Sequence, residues 1–161
     1  MSAAMLVADD IVWEALNCKR PITNLKLREI LFFLNLKYLK EKHHPLITDK
    51  SFEKWPYGPV IKQVNQNYVP KFGGDAIRYI PDFVYIDNEN KDYKIKTYQF
   101  HHCDLAKKYR EFIADNFGQF MHYGTFEMIN WAHKDPEWNN KTHEFYDLQK
   151  SLAYFTKEGI I

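Results

Sequence analysis

The stretch Phe52-Glu53-Lys54-Trp55-Pro56-Tyr57-Gly58-Pro59-Val60-Ile61 decides how the rest of the chain is read. Two prolines flank a glycine, so neither a regular helix nor a central strand can run through it. Pro56 biases Trp55 toward an extended backbone, and Pro59 does the same to Gly58. The chain is therefore expected to enter extended, turn near Tyr57-Gly58, and leave as a helix with Pro59 in its first turn, where a missing N–H costs little. Trp55 and Tyr57 are expected to pin this elbow onto the core; the alternative is that they face a partner.

Upstream, the spacing predicts a helix from about Thr23 to Lys42, with Thr23 as its N-cap. Leu27, Ile30, Leu31, Leu34 and Tyr38 form one stripe, and Leu25, Phe32, Leu36 and Leu39 add a second apolar sector. A helix apolar around most of its circumference belongs at the centre of a fold. Lys26 and Arg28 oppose the helix dipole in its first turns; they are read as solvated side chains, or else as a small basic patch for an acidic partner. Before it, a helix capped by Ser2 runs to about Cys18, with Met5, Ala8, Val12 and Ala15 at helical spacing. Asp9, Asp10 and Glu14 are read as its solvated face, and Cys18 as packed.

Downstream, Pro59 to Tyr68 predicts a third helix and Phe72-Gly73-Gly74-Asp75 a loop. Val84-Tyr85-Ile86 and Tyr93 to Tyr98 flank the polar run Asp87 to Asp92 and predict a β-hairpin, which needs the helices to pack against. Further helices are expected from about Asp104 to Phe117, from a Thr125 cap to His133, and from Thr142 to Lys157 with Phe145, Leu148, Leu152 and Phe155 inward. Asp135-Pro136-Glu137-Trp138 reads as a turn. The expected fold is mainly α: one compact multi-helix domain over residues 1–161 with a small β-hairpin insertion.

Composition narrows the function. The 161 residues are 45% hydrophobic and 17% aromatic with a net charge of +1, too apolar for disorder. Without a basic excess, nucleic-acid binding, through Lys26, Arg28, Lys37 and Lys40, is not the favoured reading. Cys18 and Cys103 fit neither a metal spacing nor a disulfide framework. No leader pattern and no apolar run of membrane-spanning length occur, which points to a cytoplasmic protein. His43-His44 and His101-His102-Cys103-Asp104 are the dense histidine sets, but adjacent residues do not share a face. No HExxH or CxxC is present, so no metal and no cofactor is expected. A histidine-dependent metal hydrolase using His101, His102 or His133 is the enzymatic alternative. The tryptophans and tyrosines suit an interface.

Ile22-Thr23-Asn24-Leu25-Lys26-Leu27, then Leu31-Phe32-Phe33, then Phe52-x-x-Trp55-x-Tyr57-Gly58-Pro59-Val60 resembles the Panacea domain, the SocA-like antitoxin (phage-associated GepA-like) family. Ile129-x-Trp131-x-His133 and Asp135-Pro136-x-Trp138 are similar to its C-terminal segment, so the resemblance spans about Met5 to Trp138. Arg28-Glu29 stand where Gln-Lys is usual, Lys54 where Ala is common, and Ala132 where Thr precedes the histidine. The resemblance implies a non-catalytic antitoxin of toxin–antitoxin or prophage origin that neutralises a toxin by direct contact, or an adaptor that hands its toxin to a protease. Lys26, Arg28, Trp55, Tyr57, Lys62, His133 and Trp138 are the candidate partner-binding residues, in a monomer or homodimer.

Overall fold

The structure, a computed structural model, describes residues 3–87 and 94–161. Its axis is α2 (Asn24–Lys42). Thr23 caps this helix as expected: its backbone is extended and its hydroxyl accepts the Lys26 N–H, while His43 ends it in the left-handed region. Both apolar sectors except Leu25 are buried, from Leu27 to Leu39. Five helices pack on α2: α1 (Ala3–Asn17), α3 (Lys62–Phe72), α4 (Lys107–His122), α5 (Thr125–Lys134) and α7 (Leu148–Lys157). An all-round apolar helix needs partners on several sides, and this one has them. Phe32 and Phe33 anchor an aromatic core with Phe52, Phe120, Tyr146 and Phe155. Edge-to-face contacts such as Phe33 against Phe155, 5.1 Å between centroids, are the favoured geometry for such rings.

The mainly helical architecture read from the sequence holds, but it carries two hairpins. The expected one is β3 (Phe83–Asp87) against β4 (Lys94–Tyr98), with Phe83 opposite Tyr98. Phe83 lies against the core, whereas Val84 and Ile95 are exposed. The predicted turn at 88–92 and the Ser2 cap lie outside the described residues.

The unexpected hairpin is the elbow itself. Gly58–Val60 is a strand, β2, paired antiparallel with β1 (Glu53–Trp55), and the following helix starts at Lys62 rather than at Pro59. Proline tolerates this place because β2 is an edge. The other side of β1 is taken by the chain near Phe145, where the Lys54 N–H donates to Glu144 O and the Tyr146 N–H to Phe52 O, each at 3.0 Å.

That pairing shortens the last helix. Phe145 bridges Glu53 of β1 and is exposed while Tyr146 is buried, so Phe145 does not face inward as expected. α7 begins only after Asp147, whose carboxylate accepts the Gln149 and Lys150 N–H groups. Pro136–Asn139 is a short helix, α6, rather than a turn, capped by Asp135. Gly124, not Thr125, caps α5. Helix α4 starts at Lys107, after a 3-10 turn at His102–Asp104. Cys18 is exposed rather than packed.

Candidate functional site

The elbow turns at Pro56-Tyr57. Pro56 cannot adopt a positive φ, and Tyr57 does not, which excludes the primed turns and a type II turn. Gly58 follows at φ 104°. The strands pair one to one beyond this turn, Trp55 opposite Gly58 and Lys54 opposite Pro59, so the positive φ of Gly58 is taken up without an extra residue in the ladder. Gly58 is required twice over. A Cβ there would lie 3.2 Å from Ala132 Cβ and 3.3 Å from Glu29 Oε1, so the hairpin, α5 and α2 meet at one hydrogen atom.

The α5–α6 segment clamps the hairpin through polar groups. His133 Nε2 bonds the Pro56 carbonyl at 2.8 Å, and because a carbonyl only accepts, that nitrogen carries the proton. Trp138 Nε1 donates to Trp55 O at 2.8 Å. The His133 and Trp138 rings stack at 4.4 Å, and Lys141 Nζ lies 3.6 Å from the Trp138 centroid, a cation–π distance. Trp55 Nε1 donates to Glu53 Oε2 at 2.7 Å. Lys54 reaches inward and pairs with Glu137 at 2.8 Å, the two side chains being 1% and 4% exposed. Its Nζ also donates to Asn140 O, and Glu137 accepts the Asp147 N–H. Burial pushes the Glu137 carboxyl up, but the Asp147 N–H and Lys54 outweigh it, and the net shift is downward. Behind them, buried Asp135 accepts from the Glu137 N–H and from the Ser151 hydroxyl at 2.6 Å.

Under the hairpin the polar groups are not matched. Both Glu29 carboxylate oxygens are buried without a hydrogen-bond partner, as are Nε and Nη2 of Arg28 and the Tyr146 hydroxyl. Burial pushes the Glu29 carboxyl up to about 8, with Arg28 pulling weakly the other way. The neutral acid is therefore the dominant form at pH 7. The Arg28 guanidinium lies 6.0 Å from the Trp55 ring centroid.

Of the residues singled out from the sequence, Arg28, Trp55, Tyr57, His133 and Trp138 come together here. Arg28 is buried rather than solvated, because α2 has no solvent face at this point. Tyr57 does not pin the elbow: it is 56% exposed, and the half-buried Trp55 does the anchoring. Lys62 lies round the corner in an open groove of about 540 Å³ shared with Glu53 and the exposed Phe145. Lys26 lies elsewhere; it is buried and donates to Tyr123 O. Sequence reasoning missed Glu29, Lys54, Glu137 and Phe145. Glu29 was signalled by a charge in the middle of an all-round apolar helix.

A second polar cluster corrects the reading of α1. Asp9 and Asp10 are fully buried, not solvated. The Tyr68 hydroxyl donates to Asp9 Oδ1 at 2.5 Å, and His102 Nδ1 meets Asp10 Oδ1 at 2.7 Å while stacking on Trp13 at 3.8 Å. Burial pushes Asp9 up to about 7, against the Tyr68 hydrogen bond. Among the described residues no group of three or more His, Cys, Asp or Glu could hold a metal ion.

The fold and the clamped hairpin define a helical protein organised around the W-x-Y-G-P-V strand pair. Residues 27–139, well over half of the chain, match the model of the antitoxin SocA-like, Panacea domain family, and the chain belongs to that family. The matched segment begins inside α2 and ends with α6, so it contains the hairpin, His133 and Trp138 but neither α1 nor α7, and Lys141, Asp147 and Ser151 lie beyond it. No curated protein and no solved structure was found to match. No helix among the described residues is long and apolar enough to cross a membrane.

Proposed function

We propose that this chain is a non-catalytic antitoxin, a single domain that neutralises a toxin partner by direct contact through the face of the β1–β2 hairpin, in the cytoplasm of a cell carrying a toxin–antitoxin gene pair. Membership of an antitoxin family supports the class of partner. One observation carries the location: two large aromatics, Tyr57 at 56% and Phe145 at 49% exposure, flank a hairpin whose backbone is held rigidly from behind. Exposed aromatic side chains on an ordered scaffold are what an interface needs, because little entropy is lost when they are covered. Trp55, Trp138, His133 and Arg28 hold that face in shape, and Lys62 rims the groove beside it.

Co-expression with the product of an adjacent toxin gene tests the reading. The two proteins are expected to co-purify, and growth arrested by the toxin is expected to recover. A neighbour that neither co-purifies nor is neutralised would overturn it. Delivery of the toxin to a protease is distinguished by toxin half-life, which shortens under delivery and lengthens under sequestration.

A further inference from the structure

The positive ends of α2 and α5 meet at adjoining hollows that share Thr23 and Thr125. One, of about 430 Å³, is lined by Arg20, Lys26 and His122; the other, of about 280 Å³, by Leu25, Gly73, Gly74 and Phe126. Among the described residues no carboxylate lines either hollow. Helix α2 has no acidic residue in its first turn, so its dipole is uncompensated there and Lys26 adds to the positive field. Lys26 is 8% exposed, with Tyr123 O as its acceptor, Arg20 repelling it and Glu127 attracting it. The α5 end has Glu127, but that carboxylate accepts the Gly124 N–H.

Two further features lie at the apolar hollow. Phe126 is 69% exposed beside the half-buried Leu25. Asn24, 6% exposed, lines the apolar hollow; its Nδ2 donates to Asn65 while its Oδ1 is buried without a partner. A cationic hollow, an apolar hollow and an unused buried acceptor thus occur side by side.

We propose that this double hollow docks an acidic segment of a protein partner that carries one large apolar side chain. The segment's carboxylates sit between Arg20 and Lys26 at the two helix ends, its apolar side chain covers Leu25 and Phe126, and a backbone N–H of the segment reaches Asn24 Oδ1. The inference rests on the reading of this chain as a protein-binding module and supplies the chemistry of a second contact. It shares no residue with the hairpin face.

The probe is a library of random dodecapeptides displayed on phage and panned on the full chain. Selected peptides are expected to place Asp or Glu beside an aromatic or long aliphatic residue. The best of them, synthesised, is expected to lose at least tenfold in affinity with Arg20→Glu and with Phe126→Ser, and to weaken as salt rises. Both substituted residues line the surface, so unchanged melting temperatures are expected. Selection of no peptide, of peptides without acidic residues, or of peptides indifferent to both substitutions overturns the proposal. Tyr57→Asp separates the two surfaces: it is expected to leave peptide affinity unchanged. Peptide binding sensitive to Arg20→Glu upholds the hollow even where no toxin is neutralised, whereas toxin neutralisation without selected peptides upholds the hairpin face and sinks the hollow.

Discussion

Gly58→Ala places one methyl group where three elements converge. At φ 104° an L side chain is strained by roughly 1–3 kcal/mol. The new Cβ also meets Ala132 Cβ at 3.2 Å and Glu29 Oε1 at 3.3 Å, and both must give way. Ala132 is fixed on α5, and although Glu29 Oε1 ends a flexible side chain, that side chain is fully buried and has little room to move aside. Overpacking of this kind adds about 1–3 kcal/mol. Loss of glycine's freedom in the unfolded chain offsets about 0.4–1 kcal/mol. The net expectation is a destabilisation of about 2–4 kcal/mol, or a fall in Tm of roughly 5–15 °C for a domain of this size. Urea denaturation measures it directly. Gly159→Ala is the control, since Gly159 has φ 73° but nothing within 4 Å of its Cβ, so only backbone strain of about 1–2 kcal/mol is expected. A Gly58→Ala variant no less stable than Gly159→Ala would refute the claim that the hairpin, α2 and α5 are locked together at this atom.

Lys54→Met leaves Glu137 buried without its cation and is expected to cost about 3–5 kcal/mol, whereas Lys54→Met with Glu137→Leu recovers most of it; a thermal double-mutant cycle showing simple additivity would contradict this pairing. Asp9 holds its proton to about pH 7 in the folded state but releases it near pH 3.8 when unfolded. The native state therefore binds more protons between those values, and stability falls as pH rises through them by roughly 2–4 kcal/mol. Asp9→Asn is expected to flatten that decline in Tm, and parallel profiles for variant and wild type would show that Asp9 does not titrate this way. Glu29, held neutral to about pH 8 in the folded state but ionising near pH 4.5 when unfolded, follows the same sign; Glu29→Gln is expected to leave Tm close to wild type near pH 4 and to raise it progressively between about pH 4.5 and 8.

The helices were legible because their signal is local. The α2 stripe and its Thr23 cap lie within one segment, and both are where periodicity puts them. The elbow was half legible. Two prolines and a glycine demanded a turn, but whether Pro59 opens a helix or edges a strand depends on residues 144–146, about 90 positions away, supplying a neighbour to β1. The same distant pairing delayed the start of the last helix to Leu148 and turned Phe145 outward. The site residues around Trp55 were legible as a motif, since aromatics in a turn are unusual. Their mutual geometry was not, because His133 and Trp138 reach the hairpin by hydrogen bonds to main-chain carbonyls, which carry no side-chain signature. Asp9 and Asp10 failed for another reason. A carboxylate on an amphipathic helix reads as solvated, and only the arrival of Tyr68 and His102 from other elements makes its burial tolerable.

Titration of the proposed toxin partner into this chain by calorimetry, wild type against Tyr57→Asp, tests the central claim most directly. The exposed position of Tyr57 leaves folding unaffected, so Tm is expected to stay within about 2 °C of wild type. If the hairpin face is the interface, affinity falls at least about 30-fold, the effect of losing a hot-spot residue of 2 kcal/mol or more. Affinity within threefold of wild type would contradict it.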